Sequence, residues 1–180
     1  LAGECSFQLD VLRDLRIPSD WGLEIGVLSE MHRNYSRRRL CQTDIADIYD
    51  HKHQKLSEDN DAAGLSKMSI DISKALFRKL ATHGVTLNSG TFRAIKATYF
   101  RIALDFVESY QNDAIMNGLA FDVDMEERAV ELFAENIMKA GTIFLERPME
   151  RPFIPSWSRV LSAFPNFLGD LKADVHADMD

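Results

Sequence analysis

The stretch SGTFRAIKATYFRIALDFVESYQNDAIMNG, residues 89–118, decides the fold. Phe92, Ile95, Tyr99, Ile102 and Phe106 recur at intervals of three and four, the spacing that lines up one face of an α-helix. Such an apolar stripe needs cover, so these side chains are expected in a core. The neighbouring segments read the same way. GLSKMSIDISKALFRKLATHG, residues 64–84, places Met68, Ile72, Ala75, Leu76 and Leu80 on one face, and Gly84 stops the helix. DMEERAVELFAENIMKAGTIFLERP, residues 124–148, has Asp124 as a cap, acidic residues in its first turn and Pro148 at its end. IPSWSRVLSAFPNFLGDLKADV, residues 154–175, reads as a last helix or a helix pair interrupted near Pro165.

Upstream, the pattern is mixed. CSFQLDVLRDLRI, residues 5–17, spaces Phe7, Val11, Leu12 and Leu15 as in a helix, and Pro18 then disfavours helix at Ile17. Ser19 or Asp20 can cap a second helix over WGLEIGVLSEMHRNY, residues 21–35. RRRLCQTDIADIYD, residues 37–50, suggests a strand through Thr43, Ile45, Ile48 and Tyr49. The expectation is a mainly α chain in two parts: residues 1–58 with few strands and the features of a site, and residues 59–180 as a helical domain.

The composition bounds the function. The chain has 180 residues and a net charge of −7. That balance disfavours nucleic acid and membrane surfaces, which call for a basic field. A small anionic ligand needs only a local cluster of donors. Cys5 and Cys41 make neither a disulfide framework nor a zinc site and read as reduced packing residues, with no paired histidine to make either a nucleophile. No apolar run is long enough to span a bilayer, no signal peptide is legible, and the expected location is cytoplasmic. The sequence opens at Leu1 inside what reads as ordered structure, so a piece of a longer protein is expected.

Chemistry concentrates in the first part. DIYDHKHQKLS, residues 47–57, carries His51 and His53 one residue apart. On an extended strand both would point to one side and could approach one ion. A solvated loop flanked by Lys52 and Lys55 is the plainer alternative. In GLEIG, residues 22–26, Glu24 stands between two glycines that let backbone and ligand approach closely, and a carboxylate there can accept hydrogen bonds from sugar hydroxyls. Equally, it is a first-turn glutamate favoured by the helix dipole. FDVDMEE, residues 121–127, imitates a D-x-D metal motif but opens an amphipathic helix, where Asp122, Asp124, Glu126 and Glu127 serve as cap and dipole residues. Arg37, Arg38 and Arg39 read as a solvated basic turn rather than a phosphate site.

Taken in order, LAGE at 1–4, WGLEIG at 21–26 and CQTDIADIYDHKHQKLS at 41–57 resemble the second half of the catalytic region of the glucosyl-3-phosphoglycerate synthases. These are retaining, metal-dependent glycosyltransferases of the GT-A fold. The resemblance covers residues 1–58, and the downstream helices match the family's C-terminal extension in pattern and order. It implies the C-terminal portion of a GT-A α/β glycosyltransferase followed by a helical extension. The nucleotide-binding half, with its parallel sheet and D-x-D, is expected before Leu1.

The resemblance also implies roles. His51 matches the metal ligand that joins the D-x-D aspartate in holding Mg2+ or Mn2+ on the donor diphosphate. Glu24 matches the catalytic-region glutamate that contacts donor-sugar hydroxyls, with Leu1, Ala2 and Gly3 holding the sugar from its other side. Lys52, His53 and Lys55 fall on the acceptor side, although H-K-H-Q-K departs from the family's more Arg- and Asn-rich loop. The implied partners are an NDP-sugar donor and a 3-phosphoglycerate acceptor, with no nucleic acid or membrane, in a homodimer. The implied product, glucosyl-3-phosphoglycerate, points to compatible-solute chemistry. A transferase using another sugar such as mannose, or another acceptor, stays open. So does a non-catalytic helical dimerisation module.

Overall fold

The computed structural model describes residues 4–44, 54–150 and 153–179. Its elements are helices α1 (Leu9–Asp14), α2 (Leu23–Asn34), α3 (Gly64–Thr82), α4 (Ser89–Met116), α5 (Val123–Glu146), α6 (Trp157–Ala163) and α7 (Phe167–Ala177), with a 3-10 turn at Arg37–Arg39. The only β pairing among the described residues is one antiparallel bridge, Ile17 to Ile154. The mainly α expectation therefore holds. Residues 37–44 of the expected strand carry none, Arg37–Arg39 forming the 3-10 turn instead, and residues 45–50 lie outside the described residues.

The helix ends follow local chemistry. The Asn88 side chain caps α4, accepting from the Gly90 and Thr91 N–H groups. Asp122 caps α5 by accepting from the Met125 N–H at 3.0 Å. Asp124 falls instead inside the first turn, so the expected cap moves two residues upstream. Gly84, at φ +81°, ends α3 in the left-handed region as expected. The break at Pro165 separates α6 from α7.

α3, α4 and α5 form the centre, with α5 packed against both of the others. Ile70, Phe77, Phe92, Ile137 and Ala140 make the buried cluster. Phe77 and Phe92 meet at 4.7 Å between centroids, and Phe144 stands edge-on to both at 6.3 Å. Gly141 is what lets Phe92 reach α5: a Cβ there would lie 2.6 Å from the ring. Asn136, fully buried on α5, donates to the Ser66 hydroxyl at 3.1 Å and the Ser69 hydroxyl at 2.8 Å, fixing the register of α5 on α3.

Two expectations about faces need correction. On α3 the deep positions include Ile70, Asp71, Lys74, Phe77 and Arg78, whereas Met68, Ile72, Leu76 and Leu80 are only half-buried. α3 is covered from two sides, by α5 and by α2, so its charged side is buried as well as its apolar one. On α4 the stripe is core only at its start. Phe92 is 1% exposed, but Ile102 is 48% and Phe106 51% exposed. Further along α4 the buried positions are Val107 and Ala114, which lie off the stripe.

Candidate functional site

Pro18 turns the chain between α1 and α2, and Asp20 fixes that turn. Its Oδ1 accepts from the Gly22 N–H at 3.0 Å, and its Oδ2 accepts from Arg78 Nη2 of α3 at 3.2 Å. Asp20 thus caps no helix directly; Gly22 occupies the N-cap of α2. Beneath the turn runs a seam of buried charge between α2 and α3. Arg78 pairs with Asp20, Lys79 with Glu30, and Asp71 takes both Lys67 and Lys74. Phe153 covers the seam, its ring 6.0 Å from the Arg78 guanidinium and 5.4 Å from the Lys79 ammonium. Burial, with Arg16 nearby, pulls Lys79 below the usual lysine range.

Above the seam lies a shallow pocket of about 350 Å³, lined by Ser19, Asp20, Trp21, Leu23, Glu24 and Lys67. Glu24 is half-buried in the first turn of α2, and its carboxylate has no hydrogen-bond or ion-pair partner among the described residues. A free carboxylate beside an exposed indole, with an ammonium at the rim, suits a ligand rich in hydroxyls. Trp21 and Lys67 join this pocket without having been singled out from the sequence. Trp21 adjoins GLEIG and could have been marked by that neighbourhood, whereas Lys67 arrives from α3 and carries no local signal.

The glycines beside Glu24 serve a different purpose from the one expected. A Cβ on Gly22 would lie 2.2 Å from the Ala75 Cβ, and one on Gly26 would lie 2.2 Å from the Pro18 Cδ. They let protein pack on protein, seating α2 against α3 and the Pro18 turn.

Lys55 is exposed, and its carbonyl accepts from the Leu65 N–H at 2.9 Å. Gly64, at φ +52°, makes this docking possible, because a Cβ there would stand 2.3 Å from the Lys55 oxygen. Glu24 and Lys55 therefore both adjoin the first turn of α3, through Lys67 and Leu65. Leu1, Ala2, Gly3, His51, Lys52 and His53 lie outside the described residues. Among the described residues no three His, Cys, Asp or Glu side chains converge as metal ligands. Cys5 and Cys41 are exposed rather than packed. The Arg37–Arg39 turn is exposed as expected, with Arg39 donating to Gln8 Oε1 at 3.3 Å. Among the described residues no helix is long and apolar enough to cross a membrane.

No family model matches the chain, and no solved structure matches it. Two curated proteins do. The chain is 39% identical over 178 residues to the glucosyl-3-phosphoglycerate synthase of Persephonella marina, covering 99% of this chain. It is 37% identical over 181 residues to the glucosyl-3-phosphoglycerate synthase of Methanococcoides burtonii, again over 99% of its length. The chain spans 44% of each of these relatives. The likeness runs through the Glu24 pocket and on through α3 to α7, so what the chain is similar to is a stretch equal to under half of each of these two glucosyl-3-phosphoglycerate synthases.

Proposed function

We propose that this chain is the C-terminal portion of a retaining, nucleotide-sugar-dependent glycosyltransferase that moves glucose from an NDP-glucose to 3-phosphoglycerate. The observation that carries the reading is the identity to two proteins of that name over 99% of the chain. The geometry supports it: the unpaired Glu24 carboxylate opens into a pocket, and the first turn of α3 holds both that pocket and Lys55.

In this reading Glu24 accepts hydrogen bonds from hydroxyls of the donor sugar and orients its ring. Leu1, Ala2 and Gly3 hold the sugar from its other side. Lys52, His53 and Lys55 bring positive charge and donors to the acceptor phosphate and carboxylate. His51 supplies an imidazole to Mg2+ or Mn2+, together with an aspartate from the nucleotide-binding half. When bound, the ion stabilises the charge that develops on the departing diphosphate. The ion pairs under the pocket keep α2 at a fixed height on α3, and so keep Glu24 in place.

The test is transfer from NDP-glucose to 3-phosphoglycerate by the full-length protein. Glu24→Gln keeps the shape and removes the charge-assisted acceptor, so kcat/KM is expected to fall about 10- to 100-fold. His51→Ala is expected to lose metal-dependent turnover, and His53→Ala to lose less of it. Mn2+ is expected to replace Mg2+ without loss, since imidazole suits it better. Wild-type turnover by the His51 variant across an Mn2+ titration removes that residue from the metal site. Wild-type kinetics for Glu24→Gln remove Glu24 from the donor site. Absence of any transfer to 3-phosphoglycerate overturns the reading itself.

A further inference from the structure

Asn136 of α5 is fully buried, yet only one end of its amide is satisfied. The nitrogen faces three acceptors on α3: the Ser66 hydroxyl at 3.1 Å, the Ser66 carbonyl at 3.4 Å and the Ser69 hydroxyl at 2.8 Å. The amide oxygen has no hydrogen-bond partner among the described residues. An apolar side chain would fill the same space without stranding an oxygen, so what asparagine adds here is its hold on Ser66.

That hold is doubled. Ser66, itself fully buried, donates to Asp61 Oδ1 at 3.2 Å, and the same oxygen accepts from Lys139 Nζ at 2.7 Å. Lys139 follows Asn136 by three residues, on one side of α5. The bonds from Asn136 to Ser66, Asp61 and Lys139 therefore make a closed circuit that starts and ends on α5 and grips the first turn of α3. Ser66 sits between the two residues by which this turn serves the candidate site. Leu65 donates its N–H to the Lys55 carbonyl, and Lys67 lines the Glu24 pocket. Lys67 has a further anchor in the buried Asp71, and the pocket rests on the ion pairs between α2 and α3. The Lys55 segment meets α3 at the turn itself, so its placement follows Ser66. We propose, on the reading of Lys55 as an acceptor-side residue, that Asn136 and Lys139 are positioning residues for the acceptor: they fix Ser66 from α5, and through Leu65 they fix the segment that brings positive charge to the acceptor's phosphate and carboxylate.

Initial rates of the full-length protein, with NDP-glucose and 3-phosphoglycerate varied in turn, test it. Lys139→Met keeps the aliphatic stem and removes the charge; it is expected to raise the acceptor KM about two- to fivefold. Asn136→Ala is expected to raise it about tenfold. In both, kcat and the donor KM are expected to stay within about twofold of wild type, and Lys139→Arg is expected to keep the wild-type acceptor KM. Val107→Ala, a buried truncation on α4, is expected to lower the denaturation midpoint and leave every KM unchanged. Hydrogen exchange at the Leu65 amide is expected to quicken in Lys139→Met and Asn136→Ala beyond its rate in Val107→Ala. Lys139 is partly exposed, so its variants decide the matter even if Asn136→Ala fails to fold. An unchanged acceptor KM in Lys139→Met overturns the inference. So do an acceptor KM that rises equally in Val107→Ala, a rise in Lys139→Arg as large as in Lys139→Met, or unchanged exchange at Leu65, which is read whether or not the protein turns over. Transfer by wild type to an acceptor other than 3-phosphoglycerate removes the proposed function instead, and the KM for that acceptor is then the one compared.

Discussion

Replacing Gly22 by Ala probes how α2 is seated on α3. The backbone at Gly22, with φ −82° and ψ 6°, is one that alanine adopts freely. On that count the substitution stabilises by about 0.4–1 kcal/mol, through a less flexible unfolded chain. Against this, the new Cβ would meet the Ala75 Cβ at 2.2 Å, where ordinary contact begins near 3.4 Å. Neither atom is the end of a flexible side chain, so a helix must move. Overpacking of this sort costs about 1–3 kcal/mol, leaving a net loss of roughly 1–2 kcal/mol after the backbone gain. The partner substitution Ala75→Gly costs about 1 kcal/mol in helix propensity but clears the space. The double variant is therefore expected to lose no more than Ala75→Gly alone, a coupling of at least about 1 kcal/mol. Urea unfolding followed by far-ultraviolet circular dichroism measures all three. Strictly additive losses, or a neutral Gly22→Ala, would refute the packing argument and return these glycines to a ligand-facing role.

Two further outcomes follow from the charges. Asp20→Ala leaves Arg78, 8% exposed, without its carboxylate, and is expected to cost about 3–5 kcal/mol; Asp20→Asn, which keeps an acceptor for the Gly22 N–H, is expected to cost less, and equal losses in denaturant titration would show that the ion pair is not what matters. Asp61 accepts from Lys139 at 2.7 Å and from Ser66 at 3.2 Å, and the Lys139 hydrogen bond holds its carboxyl below the usual aspartate range. Because the folded-state pKa is lowered, its contribution is full above the unfolded value near 3.8 and fades as pH falls through the folded one. Asp61 is about half exposed, so Asp61→Asn is expected to cost about 0.2–1 kcal/mol at neutral pH and to flatten that acid slope. Unfolding curves at pH 7 and pH 2 that shift by the same amount would contradict it.

Sequence alone determined the helical class and most element limits, because periodicity and breakers act locally. Phe92 to Phe106 announced α4, Gly84 stopped α3, and Pro165 split the last segment into α6 and α7. It also placed Glu24 at a helix start and dismissed the D-x-D at Asp122 and Asp124, since capping is settled within one turn. What it could not determine was which face meets which neighbour. A stripe at helical spacing states that residues share a side, not that anything covers it, and so Ile102 and Phe106 emerge exposed while Asp71, Lys74 and Arg78 are buried. The glycines of GLEIG show the same limit. A missing Cβ leaves room, and only tertiary structure decided that Ala75 and Pro18, rather than a ligand, take up that room. Lys67 reached the Glu24 pocket because α3 packs against α2, and a contact between segments more than 40 residues apart leaves no mark on either segment read by itself.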